Sequence, residues 1–162
     1  MKKIIIVMFS FVVMTGISAC DTHDINGQET TQQPENNDND NTNPEENMKL
    51  KITIGSAVFT ATLQHNATAT AFEKLLPMTI TMAELNNNEK YCDLQGSLPT
   101  NSFNPGTIYN GDLMVYGSQT LVLFYKNFST SYRYTRLGKI DDTTGLASAL
   151  GSGNVAVTFE SE

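Results

Sequence analysis

The sequence has few of the residues that build metal centres, disulfide frameworks and nucleophilic active sites. Its 162 residues include two cysteines, two histidines and no tryptophan. Cys20 and His23 lie near the amino terminus, which leaves Cys92 and His65 for the rest of the chain. One cysteine cannot form an internal disulfide, and a single histidine beside a single cysteine is too few for a zinc site. We therefore predict a domain without a metal or a disulfide, in which the Cys92 thiol is either buried, which we expect, or reactive.

The chain also lacks long apolar runs, glycine-rich phosphate loops and an excess of basic residues. The apolar run over residues 4–13 is too short to cross a bilayer, which takes about 20 residues. Gly151-Ser152-Gly153 follows a predicted helix instead of opening one, so it is not a phosphate loop. Residues 49–162 hold eight basic and nine acidic residues. Such a near-neutral domain lacks the basic face that binding of nucleic acid requires.

The amino terminus has the features of a targeting segment. Two lysines precede the apolar run, and Ser18 and Ala19 precede Cys20. This order resembles the lipobox of bacterial lipoproteins. The resemblance implies that residues 1–19 are a signal peptide, that the Cys20 thiol is lipidated, and that the lipid anchors the protein to a membrane of the bacterial cell envelope. The alternative is an ordinary secretory signal with a chance cysteine.

Residues 20–48 are expected to form a disordered tether after the lipidated cysteine. Residues 21–48 carry eight acidic side chains and no Lys or Arg, and Asn, Gln, Thr and Pro fill most of the remainder. Such a segment buries too little apolar surface to offset the entropy lost on ordering, and its like charges keep it extended. The tether also accounts for the formal net charge of -7, because the domain that follows is near neutral.

Residues 49–162 alternate apolar and polar side chains in short segments, which is the pattern of half-buried strands. The clearest examples are residues 50–54, 59–63, 78–82 and 155–159. Residues 68–76 have a helical spacing that Asn66 or Thr68 can cap, and a second short helix is predicted around residues 146–150. About eight short strands with two short α-helices predict a mainly β fold, a closed β-barrel in one domain.

Two segments of the domain are predicted to turn. Residues 84–93 are polar with three asparagines at their centre, so we predict a turn-rich segment. Asn110-Gly111 is typical of a two-residue hairpin turn, so we predict that it joins the strands on either side. Glu89, within the first segment, is an acid/base candidate to which the sequence assigns no partner.

Several separated motifs of the domain occur in the order found in cyclophilins. They are the helical segment TAFEKLL, the stretches LLPMTITMAELNNNEKY, GDLMVYG, LVLFYKNF and YTRLGKI, and the helical segment GLASAL. Over about residues 50–160, the chain resembles a bacterial group of cyclophilin-like domains. The resemblance implies the cyclophilin barrel and no particular reaction.

The resemblance also makes a prediction about catalysis. Catalytic cyclophilins isomerise Xaa-Pro bonds, and their catalytic arginine lies on the strand after the first helix, together with a phenylalanine and a glutamine. The matching strand here carries Thr79 and Thr81 and none of these three residues, and Tyr134 stands at the position of their groove histidine. A threonine cannot supply the charged hydrogen bond of an arginine. Proline isomerase activity in the envelope is therefore the second hypothesis, in which Arg133 or Arg136 acts from another strand.

Residues 121–140 concentrate the aromatic and basic side chains of the domain, so a binding surface is predicted there. Alternation places Tyr132, Tyr134 and Arg136 on one face, where rings and a guanidinium can hold a peptide or a small organic ligand. The predicted groove consists of Thr79, Thr81, Phe128, Tyr132, Tyr134 and Arg136. The leading hypothesis is a monomeric, membrane-anchored binding module that works without a cofactor and without the cyclophilin reaction.

Two further alternatives remain open. In the first, the tyrosines pack at the barrel rim, Phe128 plugs the barrel end, and Arg136 pairs with Glu84, Glu89 or Asp112. In the second, the domain is an enzyme or an enzyme partner in redox metabolism, because relatives of the resembled group occur alongside flavodoxin-like domains.

Overall fold

The computed structural model describes residues 48–162, which include the whole predicted barrel domain. The predicted signal peptide, the predicted lipidation site Cys20 and the predicted tether up to residue 47 lie outside the described residues. Within residues 48–162, no helix has both the length and the apolar character needed to cross a membrane.

The described part of the chain forms ten β-strands and two short α-helices. In chain order these are β1 (Lys49–Ile54), β2 (Ala57–Leu63), α1 (Ala67–Glu73), β3 (Met78–Leu85), β4 (Glu89–Asp93), β5 (Thr107–Ile108), β6 (Asp112–Tyr116), β7 (Thr120–Phe124), β8 (Phe128–Ser129), β9 (Tyr134–Ile140), α2 (Leu146–Leu150) and β10 (Val155–Ser161).

Eight of these strands close into an antiparallel barrel. Their order around the barrel is β1-β10-β3-β4-β7-β6-β9-β2, while β5 pairs with β8 outside it. The prediction of a mainly β fold with a closed barrel and two short helices is confirmed. Closure gives each barrel strand two neighbours, so the barrel has no open edge that another chain could extend.

The strands β2, β1, β10 and β3 bury one face each, and we call them the solvated half. Leu50, Ile52 and Ile54 of β1 are buried in the barrel core. Lys51 and Thr53 between them are partly exposed. The alternating sequence pattern therefore corresponds directly to a strand with core on one side and water on the other.

The strands β4, β7, β6 and β9 carry a second apolar layer on their outer face, and we call them the covered half. On β7, Leu121 and Leu123 belong to the barrel core, whereas Val122 and Phe124 are buried on the outer side. They belong to an outer cluster whose buried members are Ile108, Met114, Val122, Phe124 and Tyr134. The β5–β8 pair covers this face, because β5 and β8 each contribute a side chain to the outer cluster.

The polar segment over residues 84–93 is mostly strand, so the prediction of a turn-rich segment is wrong except at its centre. β3 and β4 extend into the segment from both sides. Asn86 and Asn87 between them both have φ 55°, a left-handed conformation that asparagine tolerates in tight turns. The polar strands are possible because Lys90, which is fully buried, finds hydrogen-bond partners inside the barrel.

Asn110-Gly111 does not close a hairpin, and this prediction is also wrong. The strand before it, β5, pairs with β8, whereas β6 after it pairs with β7 and β9. The dipeptide instead takes the chain from the outer layer into the barrel. Gly111 has φ 88°, and a Cβ there would lie 2.6 Å from Cγ2 of Thr143. The position therefore requires glycine for its conformation and for its close contact.

The first helix begins where the capping prediction places it. The side chain of Asn66 accepts a hydrogen bond of 2.8 Å from the backbone amide of Ala69. The helix ends at Glu73, three residues earlier than the predicted boundary. Its Phe72 packs edge-on against Phe159 of β10 with ring centroids 6.0 Å apart, which anchors the helix to the barrel core.

Candidate functional site

An open cleft of about 460 Å³ lies on the outer face of the covered half. Four tyrosines and two carboxylates line it: Tyr91, Tyr116, Tyr132, Tyr134, Glu89 and Asp93. The rest of the lining consists of Leu85, Asn86, Thr120 and Val122. The described lining thus combines aromatic rings and acids and includes no basic side chain.

The alternation of β4 places both carboxylates and one ring in the cleft. Glu89, Tyr91 and Asp93 line it, while Lys90 between the first two is buried in the barrel. Asp93 lies opposite Thr120 in the register of β4 with β7. The Thr120 hydroxyl donates a hydrogen bond of 2.6 Å to the Asp93 carboxylate. The pairing of β4 with β7 therefore fixes the position of one wall of the cleft.

The other three rings come from β6, from β9 and from the segment that precedes β9. Tyr116 lies opposite Tyr134 in the strand register, and their ring centroids are 5.6 Å apart at an interplanar angle of 55°. Tyr132 stands edge-on to Tyr116, with centroids 6.1 Å apart at 89°. Tilted and edge-on contacts of this kind are favourable and hold the rings in place. The rings therefore meet at steep angles and form a corner of the cleft.

The Glu89 carboxylate is the most perturbed acid of the cleft. The residue is 9 % exposed, and its side chain makes no hydrogen bond or ion pair with any described residue. Burial raises the pKa of Glu89, and the negative charge of Glu84 raises it further. A buried acid that lacks a partner among its neighbours is a common feature of functional sites.

Tyr134 links the cleft to the outer cluster. Its ring lies edge-on to Phe124, with centroids 5.5 Å apart at 87°. Burial and the nearby charge of Glu89 raise the pKa of Tyr134 to about 12, while a hydrogen bond with Thr130 acts in the opposite direction. The phenol is therefore a neutral hydrogen-bonding group over the whole physiological pH range.

The arginines near the cleft have partners elsewhere. The Arg136 guanidinium lies over the ring of Phe103, 5.2 Å from its centroid. Arg133 donates a hydrogen bond to the backbone carbonyl of Ser102. Neither arginine lines the cleft. The predicted ion pair of Arg136 with a carboxylate does not form within the described residues either.

The structure brings together only two of the six predicted groove residues. Tyr132 and Tyr134 line the cleft, whereas Phe128 belongs to the covering β8 strand and packs against Phe124, with centroids 5.7 Å apart. Thr79 and Thr81 are exposed on the solvated half, where the Thr79 hydroxyl shares a hydrogen bond of 2.8 Å with Thr158. The reason is topological. β4 lies between β3 and the other strands of the covered half, so its side chains form the wall that the prediction assigned to β3.

Eight of the ten cleft residues were not predicted as part of the groove. Five of them belong to the segment that the sequence predicts to be turn-rich: Leu85, Asn86, Glu89, Tyr91 and Asp93. The other three, Tyr116, Thr120 and Val122, lie on β6 and β7. The signal was the alternation of Glu89, Tyr91 and Asp93 with Lys90 and Cys92. That pattern is typical of a strand, but it is polar on both faces.

A second polar group lies within the barrel and is fully satisfied. Lys90 donates to Glu84 and to the backbone carbonyls of Gly151 and Gly153, at 2.9 and 2.7 Å for the carbonyls. The Tyr125 hydroxyl donates to both oxygens of Glu84 at 2.9 and 2.8 Å. Burial favours a raised pKa for Glu84, but the hydrogen bonds from Lys90 and Tyr125 outweigh it and lower the pKa. This network joins β3, β4 and the segment after α2, and it offers no free group to a ligand.

The described residues show no group of three or more His, Cys, Asp or Glu side chains that is placed to hold a metal ion. Cys92 is partly buried against the barrel core, so full burial, as predicted, is not reached. Burial and the charge of Asp93 raise the pKa of the Cys92 thiol, which therefore stays protonated at neutral pH.

The comparison with known proteins agrees with this architecture. A sequence profile of the Cyclophilin-like family matches residues 52–160. The chain belongs to the Cyclophilin-like family. The solution structure of the hypothetical protein AF2241 from Archaeoglobus fulgidus is similar to this family member with a TM-score of 0.50 and 20% sequence identity. The match covers 72% of this chain and 95% of that chain, and it shows the fold alone. No curated protein matches the chain.

Proposed function

We propose that this member of the Cyclophilin-like family is a binding module of the bacterial cell envelope, and that its tyrosine-lined cleft holds a peptide segment or a small organic ligand. The observation that supports this proposal is the cleft of about 460 Å³ with the buried, unpaired Glu89 carboxylate in its wall. Ligand sites are commonly concave, largely aromatic or apolar, and supplied with a few polar groups that orient the ligand. The cleft has each of these features.

The proposal excludes the cyclophilin reaction for a chemical reason. In the cyclophilin reaction, an arginine directs a charged donor at the amide nitrogen of the substrate. The cleft lining offers carboxylates, phenols and an amide, and Arg133 and Arg136 are held on other partners. Isomerase activity remains the alternative proposal, and it requires one of these arginines to leave its partner.

A probe set tests the binding proposal on the full chain. Saturation-transfer NMR would screen short peptides and small organic cations, anions and neutral aromatic compounds. The matched variants are Tyr132→Ala in the cleft and Tyr109→Ala outside it, since both tyrosines are more than half exposed. We expect at least one probe class to bind, and its affinity to fall about tenfold in Tyr132→Ala but not in Tyr109→Ala. Binding that Tyr132→Ala leaves intact would contradict the use of this cleft.

An isomerase assay on a short Xaa-Pro peptide separates the two proposals. The binding proposal expects no acceleration above the uncatalysed rate at micromolar concentrations of protein. Acceleration that disappears in Arg136→Ala or in Arg133→Ala, with the fold retained, would favour the alternative.

The envelope anchor is part of the proposal and has its own test. Lipidation at Cys20 predicts that Cys20→Ser releases the protein from the membrane fraction and removes labelling by a fatty-acid analogue. Cys92→Ser is the matched control, because it removes the other cysteine and should change neither result. A labelled, membrane-bound Cys20→Ser protein would refute the anchor and leave the cleft proposal untouched.

A further inference from the structure

We infer that the cleft binds a weakly hydrated organic cation, namely a methylated ammonium or a guanidinium group, on a free small molecule or on a peptide side chain. This inference rests on the proposed function, since it names the chemistry of the ligand that the same cleft would hold. Charge, ring geometry and the placement of the protein's own cations each support it.

The charge of the cleft selects a cation. Glu89 and Asp93 both line it, two strand positions on either side of Tyr91. Glu89 is 9 % exposed and has no ion pair or hydrogen bond with the chain as described. The burial of Glu89 removes part of the hydration of its carboxylate, and a bound cation would replace that interaction. An anion would meet two negative charges and no basic side chain in the described lining.

The tyrosine rings offer the surfaces that organic cations bind. The face of an aromatic ring is negative, and it attracts a cation within about 6 Å of the ring centroid. Tyr116 stands at 89° to Tyr132 and at 55° to Tyr134. A group in the corner between them contacts more than one ring, which is the arrangement of an aromatic cage.

The protein's own cations leave these rings free. Four ring contacts of basic side chains are present among the described residues: Lys90 and Lys126 over Tyr125, Arg136 over Phe103, and Lys139 over Tyr109. None of these three rings lines the cleft. Basic side chains of the described domain therefore do not compete for the cleft tyrosines.

The hydrogen-bonding groups of the cleft favour a weakly hydrated cation. A primary ammonium is compact and strongly hydrated, and it needs several acceptors to replace its water. The carboxylates of the cleft are Glu89 and Asp93, and Asp93 already accepts a hydrogen bond from Thr120. Guanidinium is planar and weakly hydrated, and it can bind one carboxylate through two hydrogen bonds. A methylated ammonium needs no hydrogen bond at all, and Leu85 and Val122 can contact its hydrocarbon part.

Isosteric probe pairs test the charge requirement on the full chain. The first pair is choline and its uncharged carbon analogue, and the second is N-acetylarginine methylamide and the corresponding citrulline compound. Each pair keeps the shape and removes the charge. We expect the cation of at least one pair to bind about tenfold or more tighter than its isostere, measured by NMR titration. A pentapeptide with one central arginine between glycines then separates the sources, because it carries the same guanidinium as N-acetylarginine methylamide. Tighter binding of the pentapeptide indicates a peptide side chain, and equal or weaker binding indicates a free small molecule.

Variants locate the interaction. Glu89→Gln keeps the shape of the side chain and removes its charge, so cation affinity should fall about tenfold. Tyr132→Ala should weaken binding as well, while Tyr109→Ala should not. If Glu89→Gln changes the amide NMR spectrum across the barrel, Asp93→Asn provides the same test from an exposed position. Cation binding that neither carboxylate variant weakens would overturn the inference.

The two proposals fail in different ways. Neutral or anionic probes that bind as tightly as cations, and that Tyr132→Ala weakens, would overturn the cation inference and leave the binding function standing. If no probe of any charge binds, the binding function and the inference fail together.

Discussion

The solvated half and the covered half of the barrel are built from the same kind of antiparallel strand, but only the covered half buries apolar side chains on its outer face. On the outer face of β3, Thr79 and Thr81 are exposed. On the outer face of β7, Val122 and Phe124 are 3 % and 0 % exposed. The barrel therefore has one hydrophobic core in its interior. A second, smaller core lies between the outer face of the covered half and the β5–β8 pair.

The cleft lies where this second layer is incomplete. Met114 and Phe124 are fully covered, whereas Tyr116 and Tyr132 at the rim are 47 % and 62 % exposed. A ring that is partly covered and partly wet suits ligand recognition, because its apolar body can pack while its hydroxyl remains solvated. The outer layer therefore both stabilises the covered half and creates its candidate site.

The largest expected effect concerns Lys90, at the β3–β4 junction between the halves. Lys90→Met leaves the Glu84 charge unpaired and two carbonyls without their donor, so we expect a loss of about 3–5 kcal/mol in unfolding free energy, measured by urea denaturation. Lys51→Met is the control, since Lys51 forms its ion pair with Glu160 at the surface of the solvated half. It should leave the urea midpoint nearly unchanged. If the two variants lowered the unfolding free energy equally, the buried network would not stabilise the junction between the halves.

The second-largest expected effect is a loss of unfolding free energy when a side chain is removed from the outer face of the covered half, compared with the same change on the solvated half. Met114→Ala removes a fully buried side chain from the outer cluster and should cost about 2–5 kcal/mol. Thr81→Ala changes the corresponding face of the solvated half and should stay within about 0.5 kcal/mol. Urea denaturation measures both. A small effect of Met114→Ala would show that the outer layer covers the sheet without stabilising it.

Gly138 lies at the other junction, where β9 pairs with β2. A Cβ there would lie 2.7 Å from the Thr62 carbonyl oxygen and 3.0 Å from Cδ2 of Leu63. Gly138→Ala should therefore cost about 1–3 kcal/mol, as in other overpacked sites, measured by thermal unfolding. Gly96→Ala is the control, because no atom lies within 4 Å of its added Cβ. A tolerated Gly138→Ala would mean that the two halves can separate slightly at this seam.

The smallest expected effect is a pH-dependent rise in the melting temperature of the variant Glu89→Gln. Burial, with Glu84, raises the pKa of Glu89 above the ordinary value of 4.5. The folded state then binds more protons than the unfolded state above that value, so the contribution of Glu89 to stability falls as pH rises through its folded pKa. Glu89→Gln should therefore raise the melting temperature by a few degrees at neutral pH.

The same variant should have little effect on the acid side, where Glu89 is protonated in both states. The gap between variant and wild type is thus expected to widen as the pH rises from the ordinary value of 4.5 to the raised pKa of folded Glu89, and to stay constant above it. Melting curves at several pH values check this, and a gap that does not change with pH would mean that Glu89 is as ionised in the barrel as in the unfolded chain. A variant that gains stability and loses ligand affinity is the usual sign that a site trades stability for function.

The sequence predicted the solvated half well and the covered half poorly, for one physical reason. Alternation reports a strand only when its two faces meet different surroundings. β1 and β2 meet that condition. The run Leu121–Phe124 is apolar on both faces, and the segment around Lys90 is polar on both, so neither pattern shows which side chain points outward.

The sequence predicted only part of the candidate site, because the residues of the covered half do not show which side chains point outward. Tyr132 and Tyr134 stood out as part of an aromatic concentration, and they do line the cleft. Glu89 and Tyr91 lie about 40 positions away in the chain, and only strand pairing brings them to the same surface. No spacing rule in one sequence connects residues at that separation.

Local pattern and composition by themselves determined the strands of the solvated half, the cap of the first helix, the mainly β class and the near-neutral charge of the domain. These properties depend on neighbours in sequence, on side-chain period and on residue counts. The tertiary structure alone decided that a buried lysine joins the halves, that a second apolar layer covers four strands, and that acids from one strand meet tyrosines from others. Those outcomes depend on which strands pair and on what covers them, and both are set by contacts between residues far apart in the chain.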